Sequence, residues 1–397
     1  EPKCEHFGLC GGCKWQFMDY EYQVDYKQKE VVDALSRIGG IKLPEVSPIL
    51  KCENEFRYRN KMDFAFTNRR WITEQESAEG KEITERNGAG FRVAGFWDKV
   101  INLNECHLQS EPSNAIRKAA RDYAITHELD FFDITNKEGF LRALTLRISS
   151  TGEIMALFQF FYEDKEKREG LLEHIRQQFS EITSLLYTIN DKGNESIFDL
   201  NIITYFGEDC IYEEMEGLRF KIGPKSFYQT NSKQAYELYK VARDFADIQK
   251  DDIVYDLYTG TGTIAQFVSK NAMKVIGVES VPEAIEAAKE NAKNNQIDNC
   301  KFYVGDMKEV FTEDFIRKNG RPNVVITDPP RDGMHKKVIG QLLDVCAKKI
   351  VYVSCNPATQ ARDLALMTEH YKVTKVQPVD MFPQTYHVEN VILLEKK

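Results

Sequence analysis

The sequence predicts an α/β protein in two parts, and three observations support this prediction. From residue 226 onward, short apolar runs alternate with amphipathic stretches, which is typical of a mainly parallel sheet covered by helices on both faces. Residues 56–160 instead read mostly as strands. Cysteine and glycine are concentrated in residues 4–13. We therefore expect a mostly β, α+β domain at 1–225 and an α/β domain at 226–397.

Size, charge and cysteine content exclude several classes of protein. The chain has 397 residues with 53 basic and 62 acidic side chains, and its net charge of −9 does not by itself predict a nucleic-acid binder. No apolar run approaches the roughly 20 residues of a membrane helix. The first residues lack the basic and apolar regions of a signal peptide, so we expect a cytoplasmic protein without membrane contact. In that compartment nine cysteines indicate metal binding or catalysis rather than disulfides.

The first part is predicted to begin with a helix over residues 19–38, which the following glycine pair ends. Further helices are predicted at 113–128 and 165–180. The stretch 56–70 is locally basic, with aromatic residues between its arginines and lysines. Two interpretations of it are equally good: a strand with a solvated face, or a strand that faces RNA, since rings and arginines suit stacking and phosphate contacts.

The second part alternates strand and helix along its whole length. The predicted strands lie at 252–258, 274–280, 300–306, 323–330 and 349–355. The predicted helices lie at 232–246, 263–272, 282–295 and 335–347, and a terminal strand pair is predicted at 372–382 and 388–396. In parallel sheets ligands bind beyond the carboxyl ends of the strands, so site residues should lie where strands end.

A glycine turn and three acids mark these strand ends. Gly260 and Gly262 follow the first strand and let the backbone turn tightly and approach a ligand, although a plain strand-to-helix turn explains them equally well. Glu279, Asp306 and Asp328 end the next three strands. Acidic strand ends suit a neutral or cationic ligand, and there is no Walker sequence. S-adenosylmethionine, with its ribose hydroxyls and sulfonium, therefore fits better than ATP or NAD.

The stretch 327–333, Thr-Asp-Pro-Pro-Arg-Asp-Gly, limits which atom of the substrate can be the methyl acceptor. Methylases of amino groups have a similar Asp-Pro-Pro followed by an aromatic residue. Arg331 stands there instead, which argues against an amine target. This loop also lacks a cysteine, which argues against cytosine-5 methylation of RNA.

Cys355 lies where the apolar run 350–353 opens onto a loop, and Pro357 stops that strand from continuing. A thiolate that adds to carbon 6 of a pyrimidine makes carbon 5 nucleophilic, and a base must then remove the proton from carbon 5. Glu389, at the start of an apolar strand, is a plausible base whose pKa burial would raise. Alternatively, Cys355 is a small residue in a tight turn and Glu389 a surface acid at a strand edge.

Five stretches resemble, in order, the motifs of the bacterial RNA uracil-5 methyltransferases. They are residues 226–231, 256–265, 327–333, 353–359 and 387–391. The resemblance implies a class I, Rossmann-like S-adenosylmethionine methyltransferase domain, with Cys355 as nucleophile and Glu389 as base. It also implies that a set of side chains contacts S-adenosylmethionine, namely Gln229, Tyr258, Glu279, Asp306 and Asp328.

The cysteines at the start of the chain are spaced C-x5-C-x2-C, at Cys4, Cys10 and Cys13. His6 as a fourth ligand would suggest zinc, whereas the distant Cys106 would complete four thiolates and suit an iron–sulfur cluster. Ligand chemistry alone leaves both open. The remaining cysteines have no comparable setting and are interpreted as structural: Cys52, Cys210, Cys300 and Cys346.

Gln16 shortly after these cysteines, and Leu108 after the distant one, resemble the iron–sulfur branch of the family, chiefly its ribosomal-RNA members. This resemblance implies a 4Fe–4S cluster on Cys4, Cys10, Cys13 and Cys106. Methyl transfer needs no redox step, so the expected role of the cluster is folding or RNA binding. Many members carry a small β-barrel RNA-binding domain before the cluster, and we expect it to be absent or removed, because the sequence begins three residues before Cys4.

The function we predict is methylation of carbon 5 of a specific uridine in 23S ribosomal RNA by a monomer, with the target base extruded from its stack. The same reaction on transfer RNA is the first alternative. An alternative of another class is an iron–sulfur RNA-binding protein without catalytic activity. A small-molecule methyltransferase is disfavoured by the additional domain and by the basic aromatic stretch.

Overall fold

The computed structural model describes residues 1–80 and 82–397. Its helices are, in chain order, α1 Tyr20–Asp33, α2 Glu74–Ala78, α3 Ser113–Thr126, α4 Lys165–Gln178, α5 Ser232–Ala246, α6 Thr263–Ser269, α7 Pro282–Asn294, α8 Met307–Val310, α9 Glu313–Asn319, α10 Lys336–Val345 and α11 Pro357–Ala365. A π-helical turn, Ala34–Ile38, follows α1 directly. None of these helices is both long enough and apolar enough to cross a membrane.

The strands of the described chain are β1 Lys61–Thr67, β2 Gly88–Gly90, β3 Leu141–Ile148, β4 Ile154–Phe160, β5 Ile182–Ile189, β6 Ile203–Gly207, β7 Ile211–Met215, β8 Leu218–Ile222, β9 Ile253–Leu257, β10 Lys274–Glu279, β11 Cys300–Val304, β12 Val324–Thr327, β13 Lys349–Ser354, β14 Tyr371–Val379 and β15 Glu389–Lys396. The predicted strands and helices of residues 226–397 are all present. The sequence pattern missed α8 and α9, because each is only one or two turns long.

The described chain divides into two compact units, each built from several segments. The first unit comprises Glu1–Phe17, Phe56–Glu213 and Ile222–Lys225. The second comprises Met18–Glu55, Glu214–Lys221 and Ser226–Lys397. The division of the sequence at residue 225 stays a prediction about domains, and the second compact unit adds α1 and its surroundings to residues 226–397.

The first unit is built on a six-stranded sheet in the order β2-β1-β3-β4-β5-β6, in which only β4 and β5 pair in parallel. The central strands β3 and β4 are buried along nearly their whole length. Helix α3 packs against β3 and α4 packs against β5. Near-continuous apolar strands are what a sheet covered on its faces requires, and β6 is instead an exposed edge.

The locally basic stretch 56–70 includes β1, and two of its aromatic rings are buried in this unit. Phe64 and Phe66 are 1% and 2% exposed, so their rings cannot stack on RNA bases. The Arg57 guanidinium pairs with Glu105 and donates to the carbonyl oxygens of Cys106 and Gln109. This arrangement favours the interpretation as a strand with a solvated face.

The second unit is built on a seven-stranded sheet in the order β11-β10-β9-β12-β13-β15-β14. The five strands from β11 to β13 pair in parallel, and β15 is antiparallel to both β13 and β14. From β9 the chain continues to β10 on one side and later returns to β12 on the other. This reversal of strand order at β9 is a topological switch point, where a crevice opens beyond the carboxyl ends of the strands.

A buried ion pair fixes α1 within the second unit. The Lys27 Nζ lies 2.6 Å from the Asp380 Oδ1, and both side chains are fully buried. The Tyr20 hydroxyl donates to the other oxygen of Asp380 at 2.7 Å. Removing one partner of such a pair leaves an uncompensated buried charge, so α1 and the segment after β14 are held together.

The glycines between β9 and α6 have different surroundings, although both have positive φ angles. At Gly262, with φ +76°, an added Cβ would lie 2.8 Å from the Phe302 ring and 2.9 Å from the Ala288 Cβ. At Gly260, with φ +55°, an added Cβ would meet no atom within 4 Å. Gly262 is therefore required by helix–strand packing, whereas Gly260 borders open space.

We expect Gly262→Ala to destabilise the protein more than Gly260→Ala. Both variants place an alanine in the left-handed region, at a cost of about 1 kcal/mol. Gly262→Ala also overpacks the contact with Phe302, which adds about 1–3 kcal/mol. Thermal unfolding of the two variants measures this difference, and equal losses of Tm would contradict it.

Candidate functional site

The buried carboxyl of Asp256 fixes the turn after β9 through hydrogen bonds. The Asp256 Oδ2 accepts hydrogen bonds from the Thr259 hydroxyl and, at 3.0 Å, from the Ala265 amide, so it ties the turn to α6. Burial raises the pKa of Asp256 to about 7, against the lowering effect of these hydrogen bonds. Tyr258 adopts a φ of +63° in this turn and is half-buried.

Glu279 lies at the end of β10, beside this turn. Its Oε2 accepts a hydrogen bond from the Gly260 amide at 3.2 Å, and its Oε1 accepts from the amides of Ser280 and Val281. Val304, 46% exposed, pairs with Glu279 across the sheet. An acid beside exposed apolar groups suits a ribose and the base attached to it. The valine was missed from the sequence, because strand register decides which side chain stands beside Glu279.

Asp306 and Tyr258 complete this group. Asp306 caps α8, and its Oδ1 accepts from the Lys308 amide at 3.0 Å. This hydrogen bond, and the Lys308 ammonium, lower the pKa of the Asp306 carboxyl. Burial raises the pKa of Tyr258 to about 12, with smaller contributions from the charges of Asp306, Asp363 and Glu279. The structure thus brings the acids predicted at these strand ends together around Tyr258.

Cys355 and Glu389 are brought together by the pairing of β13 and β15. The antiparallel register pairs Ser354 with Asn390, so the next residues outward on the two strands are Cys355 and Glu389. Directly opposed residues of an antiparallel pair project from the same face. Burial, followed by the charges of Glu389 and Asp328, raises the pKa of the Cys355 thiol to about 11, while Arg331 opposes this effect.

The two carboxyls beside the thiol are also shifted toward their neutral forms. Glu389 is 4% exposed, and burial together with the nearby Asp328 raises its pKa well above the usual value. Burial and the charge of Asp256 raise the pKa of Asp328 to about 7. Groups with such shifts in a crevice are candidates for acid–base chemistry.

The Cys355 loop is braced by α11, which the sequence reasoning did not use. The Asn356 side chain caps α11 and donates to the Arg331 carbonyl oxygen at 3.2 Å, and the Thr359 hydroxyl donates to the same oxygen at 3.0 Å. The Asp363 Oδ2 accepts from the Met334 amide at 2.6 Å. An asparagine directly before a proline is a helix-start signal that could have identified the cap.

A buried amide pair fixes the distance between the strands that carry the thiol and the acid. The Gln360 side chain donates to the carbonyl oxygens of Tyr352 on β13 and Asn390 on β15, at 3.0 and 3.3 Å. It accepts from the Asn390 side chain at 2.8 Å. Both amides are fully buried, so this bridge is protected from water.

Gln229 lies in the loop that precedes α5, and it is half-buried. Two residues later, Asn231 caps α5 and donates to the Met381 carbonyl oxygen at 2.9 Å. This hydrogen bond ties the Gln229 loop to the segment between β14 and β15, which leads to Glu389. A role of Gln229 in cofactor binding stays a prediction.

The four predicted ligand cysteines line one cavity of the first unit, with a volume of about 330 Å³. They are Cys4, Cys10, Cys13 and Cys106. Burial raises the pKa of the Cys13 thiol to about 12 and that of the Cys106 thiol to about 11, and each thiol feels the charges of others in the set. The structure therefore brings together three cysteines from the start of the chain and one from a distant segment.

The thiols line this cavity without forming a metal-binding group among the described residues. In residues 1–80 and 82–397, no three His, Cys, Asp or Glu side chains form a group that could hold a metal ion. His6 does not line the cavity, and its Nε2 accepts a hydrogen bond from the Asn104 amide at 3.0 Å. The zinc site with His6 as fourth ligand is therefore disfavoured.

Helix α3 braces the segment that carries Cys106. Asn114, Arg117 and Arg121 lie on one face of this helix, at intervals of three and four residues. The Asn114 side chain bonds both the amide and the carbonyl oxygen of Cys106. Arg117 donates to the Asn104 carbonyl oxygen at 3.2 Å, and Arg121 donates to the Asn102 side chain at 3.1 Å.

Comparison with known proteins places the chain among RNA methyltransferases. Residues 204–397 match the model of the tRNA (uracil-5-)-methyltransferase family. A protein of Bacteroides thetaiotaomicron described as an uncharacterized RNA methyltransferase is 56% identical over 397 residues, which is 99% of this chain and 87% of that protein. A protein of Porphyromonas gingivalis with the same description is 53% identical over 400 residues, with 99% and 86% of the two chains covered.

A solved structure supports the same assignment. The structure of the Pyrococcus abyssi tRNA (uracil-54, C5)-methyltransferase, in complex with S-adenosyl-L-homocysteine, is similar to this one with a TM-score of 0.77 and 28% sequence identity. The matched region covers 98% of this chain and 86% of that chain. This similarity confirms the predicted α/β S-adenosylmethionine-dependent methyltransferase fold. The chain belongs to the tRNA (uracil-5-)-methyltransferase family and is an RNA (uracil-5-)-methyltransferase.

Proposed function

We propose that this enzyme methylates carbon 5 of a uridine in 23S ribosomal RNA, with Cys355 as the nucleophile and Glu389 as the base. The observation that carries this assignment is the cross-strand placement of the thiol and the carboxyl by the pairing of β13 with β15. Both residues lie at the edge formed by the carboxyl ends of the parallel strands, where ligands bind in such sheets.

The reaction begins at the Cys355 thiol. After the thiol loses its proton to solvent, the sulfur forms a bond to carbon 6 of the extruded uracil, and the electron pair of the C5=C6 bond moves into an enolate over carbon 5 and oxygen 4. S-adenosylmethionine supplies an electrophilic methyl group on its sulfonium. Carbon 5 bonds to this methyl group, and the sulfonium becomes the neutral thioether of S-adenosylhomocysteine.

Glu389 completes the reaction. Its carboxylate takes the proton from carbon 5, the C5=C6 double bond re-forms, and the Cys355 thiolate leaves carbon 6. A carboxylate that is buried and close to Asp328 is a stronger base than one in water, because its pKa is raised. Its burial therefore suits proton removal from carbon.

The cofactor is proposed to lie at the switch point beyond β9 and β10. Gly260 gives access to the backbone, and Glu279 has the position of a ribose acceptor. Tyr258, Asp306 and Asp328 are proposed to surround the rest of the molecule, with Gln229 at its edge. Gly262 supports the pocket through packing rather than through contact with the ligand, because Phe302 fills the space beside it.

We propose that the four thiols hold a 4Fe–4S cluster. A cavity of about 330 Å³ that is lined by four thiols has the ligand set that a 4Fe–4S cluster requires. The Arg117 guanidinium is fully buried and donates to the carbonyl oxygens of Ala89 and Asn104, but it forms no ion pair among the residues that the structure describes, and its Nε has no partner there. A cluster on four thiolates is negatively charged, and it would compensate this buried cation.

The choice of 23S rRNA rests on the four-thiol pattern, which resembles the ribosomal-RNA members of the family. Transfer RNA is the second candidate, since the structurally similar enzyme of Pyrococcus abyssi acts on uracil 54 of tRNA. A catalytically silent RNA-binding protein is not favoured, since the chain belongs to a family of enzymes.

We expect tritium to be released from RNA that carries 5-tritiated uridine only when S-adenosylmethionine and Cys355 are both present. The RNA is taken from cells lacking the enzyme, and 23S rRNA and tRNA are tested separately. Release from the 23S fraction supports the proposed substrate, and release from tRNA alone transfers the assignment to tRNA. Cys355→Ala should abolish release, and its binding of S-adenosylhomocysteine shows that it is folded.

Glu389→Gln separates the two steps of the reaction. Without the carboxylate the carbon 5 proton cannot leave, so the covalent complex of methylated RNA and protein should accumulate while tritium release falls by about 100-fold or more. Denaturing electrophoresis with radioactive methyl donor detects this complex. A variant that turns over normally would exclude Glu389 as the base.

The rate should rise with pH between about 6 and 8.5. Catalysis needs the thiolate of Cys355 and the carboxylate of Glu389, and burial raises both pKa values, to about 11 for the thiol. Both groups therefore gain their reactive form as pH increases, and kcat/KM should rise by up to about tenfold per pH unit while one of them stays mostly protonated. A flat profile over this range would contradict the assignment.

The metal proposal predicts a specific effect of Arg117→Met. When the protein is reconstituted with iron and sulfide, this variant should lose iron to a chelator about 10- to 100-fold faster than the wild type, because a buried counter-charge is missing. Arg142→Met is the matched control, since Arg142 is also buried and bound by carbonyl oxygens, whereas the charge of Arg117 acts on the Cys106 thiol. Bound zinc without iron would contradict the cluster.

A further inference from the structure

The first unit exposes two adjacent aromatic side chains on a turn. Phe96 is 48% exposed and Trp97 is 63% exposed. We call residues 93–97 the aromatic turn. Large aromatic side chains bury more area than other residues when they find a partner, so an exposed pair of this kind marks a surface that binds something.

The rings of this turn form part of a larger aromatic group. The centroids of Phe96 and Trp71 are 5.2 Å apart, with the ring planes at 52°. The Trp71 amide donates to the Val100 carbonyl oxygen at 2.7 Å, which fixes Trp71 beside the strand segment that follows the turn. Phe96 is therefore supported from one side, and Trp97 projects beside it into solvent.

The aromatic turn is attached directly to the cysteine loop. Val93 forms an antiparallel bridge with Cys10, and the Ala94 amide donates to the Leu9 carbonyl oxygen at 3.0 Å. Arg92 lines the thiol cavity and also donates to the Trp97 carbonyl oxygen. Two backbone contacts thus link the position of the aromatic turn to the order of the cysteine loop, and Arg92 connects the turn to the wall of the thiol cavity.

The charges around the turn indicate which kind of contact it makes. Arg92 pairs with Glu195, and Lys99 lies 3.6 Å from Asp98, so these cations are already compensated. The turn therefore offers rings rather than free positive charge. The substrate of this enzyme is RNA, and unpaired RNA bases are bound by stacking on Phe, Tyr and Trp side chains.

We propose that the aromatic turn binds an unpaired base of the RNA substrate by stacking, and that the cysteine loop anchors the turn. The first half rests on the family's RNA substrate, and the second half rests on the proposed metal centre. This assignment gives the proposed metal centre a role in RNA binding that requires no redox chemistry. A second class of occupant, a protein segment packed on the same rings, is one outcome of the test below.

The test measures binding of a fluorescein-labelled single-stranded oligouridylate and of labelled 23S rRNA fragments to the Cys355→Ala enzyme, which binds without reacting. Trp97→Ala should weaken binding by about 5- to 150-fold, the effect of losing one stacked base. Tyr22→Ala is the matched control, since Tyr22 is 60% exposed on α1, and it should change binding by less than about twofold.

Salt dependence and ring chemistry provide the second readout. Because stacking releases no counterions, the slope of log Kd against log salt should be the same with and without the Trp97 ring. Trp97→Phe should recover most of the affinity, and an RNA duplex of paired bases should show no dependence on Trp97. A steeper slope in the wild type would replace stacking by phosphate contact and overturn the proposal.

The remaining outcomes are distinct. Unchanged RNA affinity in both Trp97→Ala and Phe96→Ala overturns the RNA assignment. If acrylamide quenching of the wild-type protein then shows that Trp97 is shielded from solvent, a protein segment occupies the turn. Removal of iron that leaves RNA affinity unchanged overturns the anchoring half. Failure of tritium release in the wild type is a separate result, which overturns the proposed reaction without affecting this binding measurement.

Discussion

The antiparallel pairing of β13 with β15 is the constraint on which the catalytic assignment depends. In a sheet of parallel strands alone, no neighbouring strand would begin at the edge where β13 ends, so Cys355 would have no residue of a starting strand beside it. Because β15 returns in the opposite direction, its first residue stands beside the last residues of β13. The Gln360–Asn390 bridge and the cap of α11 by Asn356 then hold this register with buried hydrogen bonds. A slip by one residue would turn Glu389 to the other face of the sheet.

The carboxyl edge of the same sheet concentrates acids that are costly to bury together. Asp256, Asp328 and Glu389 all have raised pKa values, and burial is the largest cause for each. Their folded pKa values lie above those of the unfolded chain, so they favour the folded state at acidic pH. For Asp256 and Asp328 that contribution is lost as pH rises from about 4 through about 7. The fold thus gives up stability at neutral pH for carboxyls suited to proton transfer and to a cationic ligand, which is common at functional sites.

In the first unit, residues 4–13 have little regular secondary structure and are ordered by contacts with other segments. They form turns rather than a helix or strand. The Gln16 side chain accepts from the Cys4 amide at 3.0 Å, and Val93 and Ala94 bind the opposite side of the loop. Helix α3 places the fourth thiol through Asn114. A metal centre joining these pieces would stabilise the loop and whatever surface the loop supports, in the same way that structural metal sites supply folding energy to small domains.

The sequence by itself determined the alternation of strands and helices after residue 226, the glycine turn, the acidic strand ends and the position of Cys355 at a strand end, because each depends on a local pattern. It also identified the four cysteines that share a cavity, but only by resemblance for Cys106. Tertiary structure alone decided that the Phe302 ring occupies the space beside Gly262, that the rings of Phe64 and Phe66 are buried, and that Arg117 is a buried cation without an ion pair among the described residues. It also decided that Cys355 faces Glu389. These features depend on register and packing between segments far apart in the chain, and no local pattern encodes which distant residue becomes a neighbour.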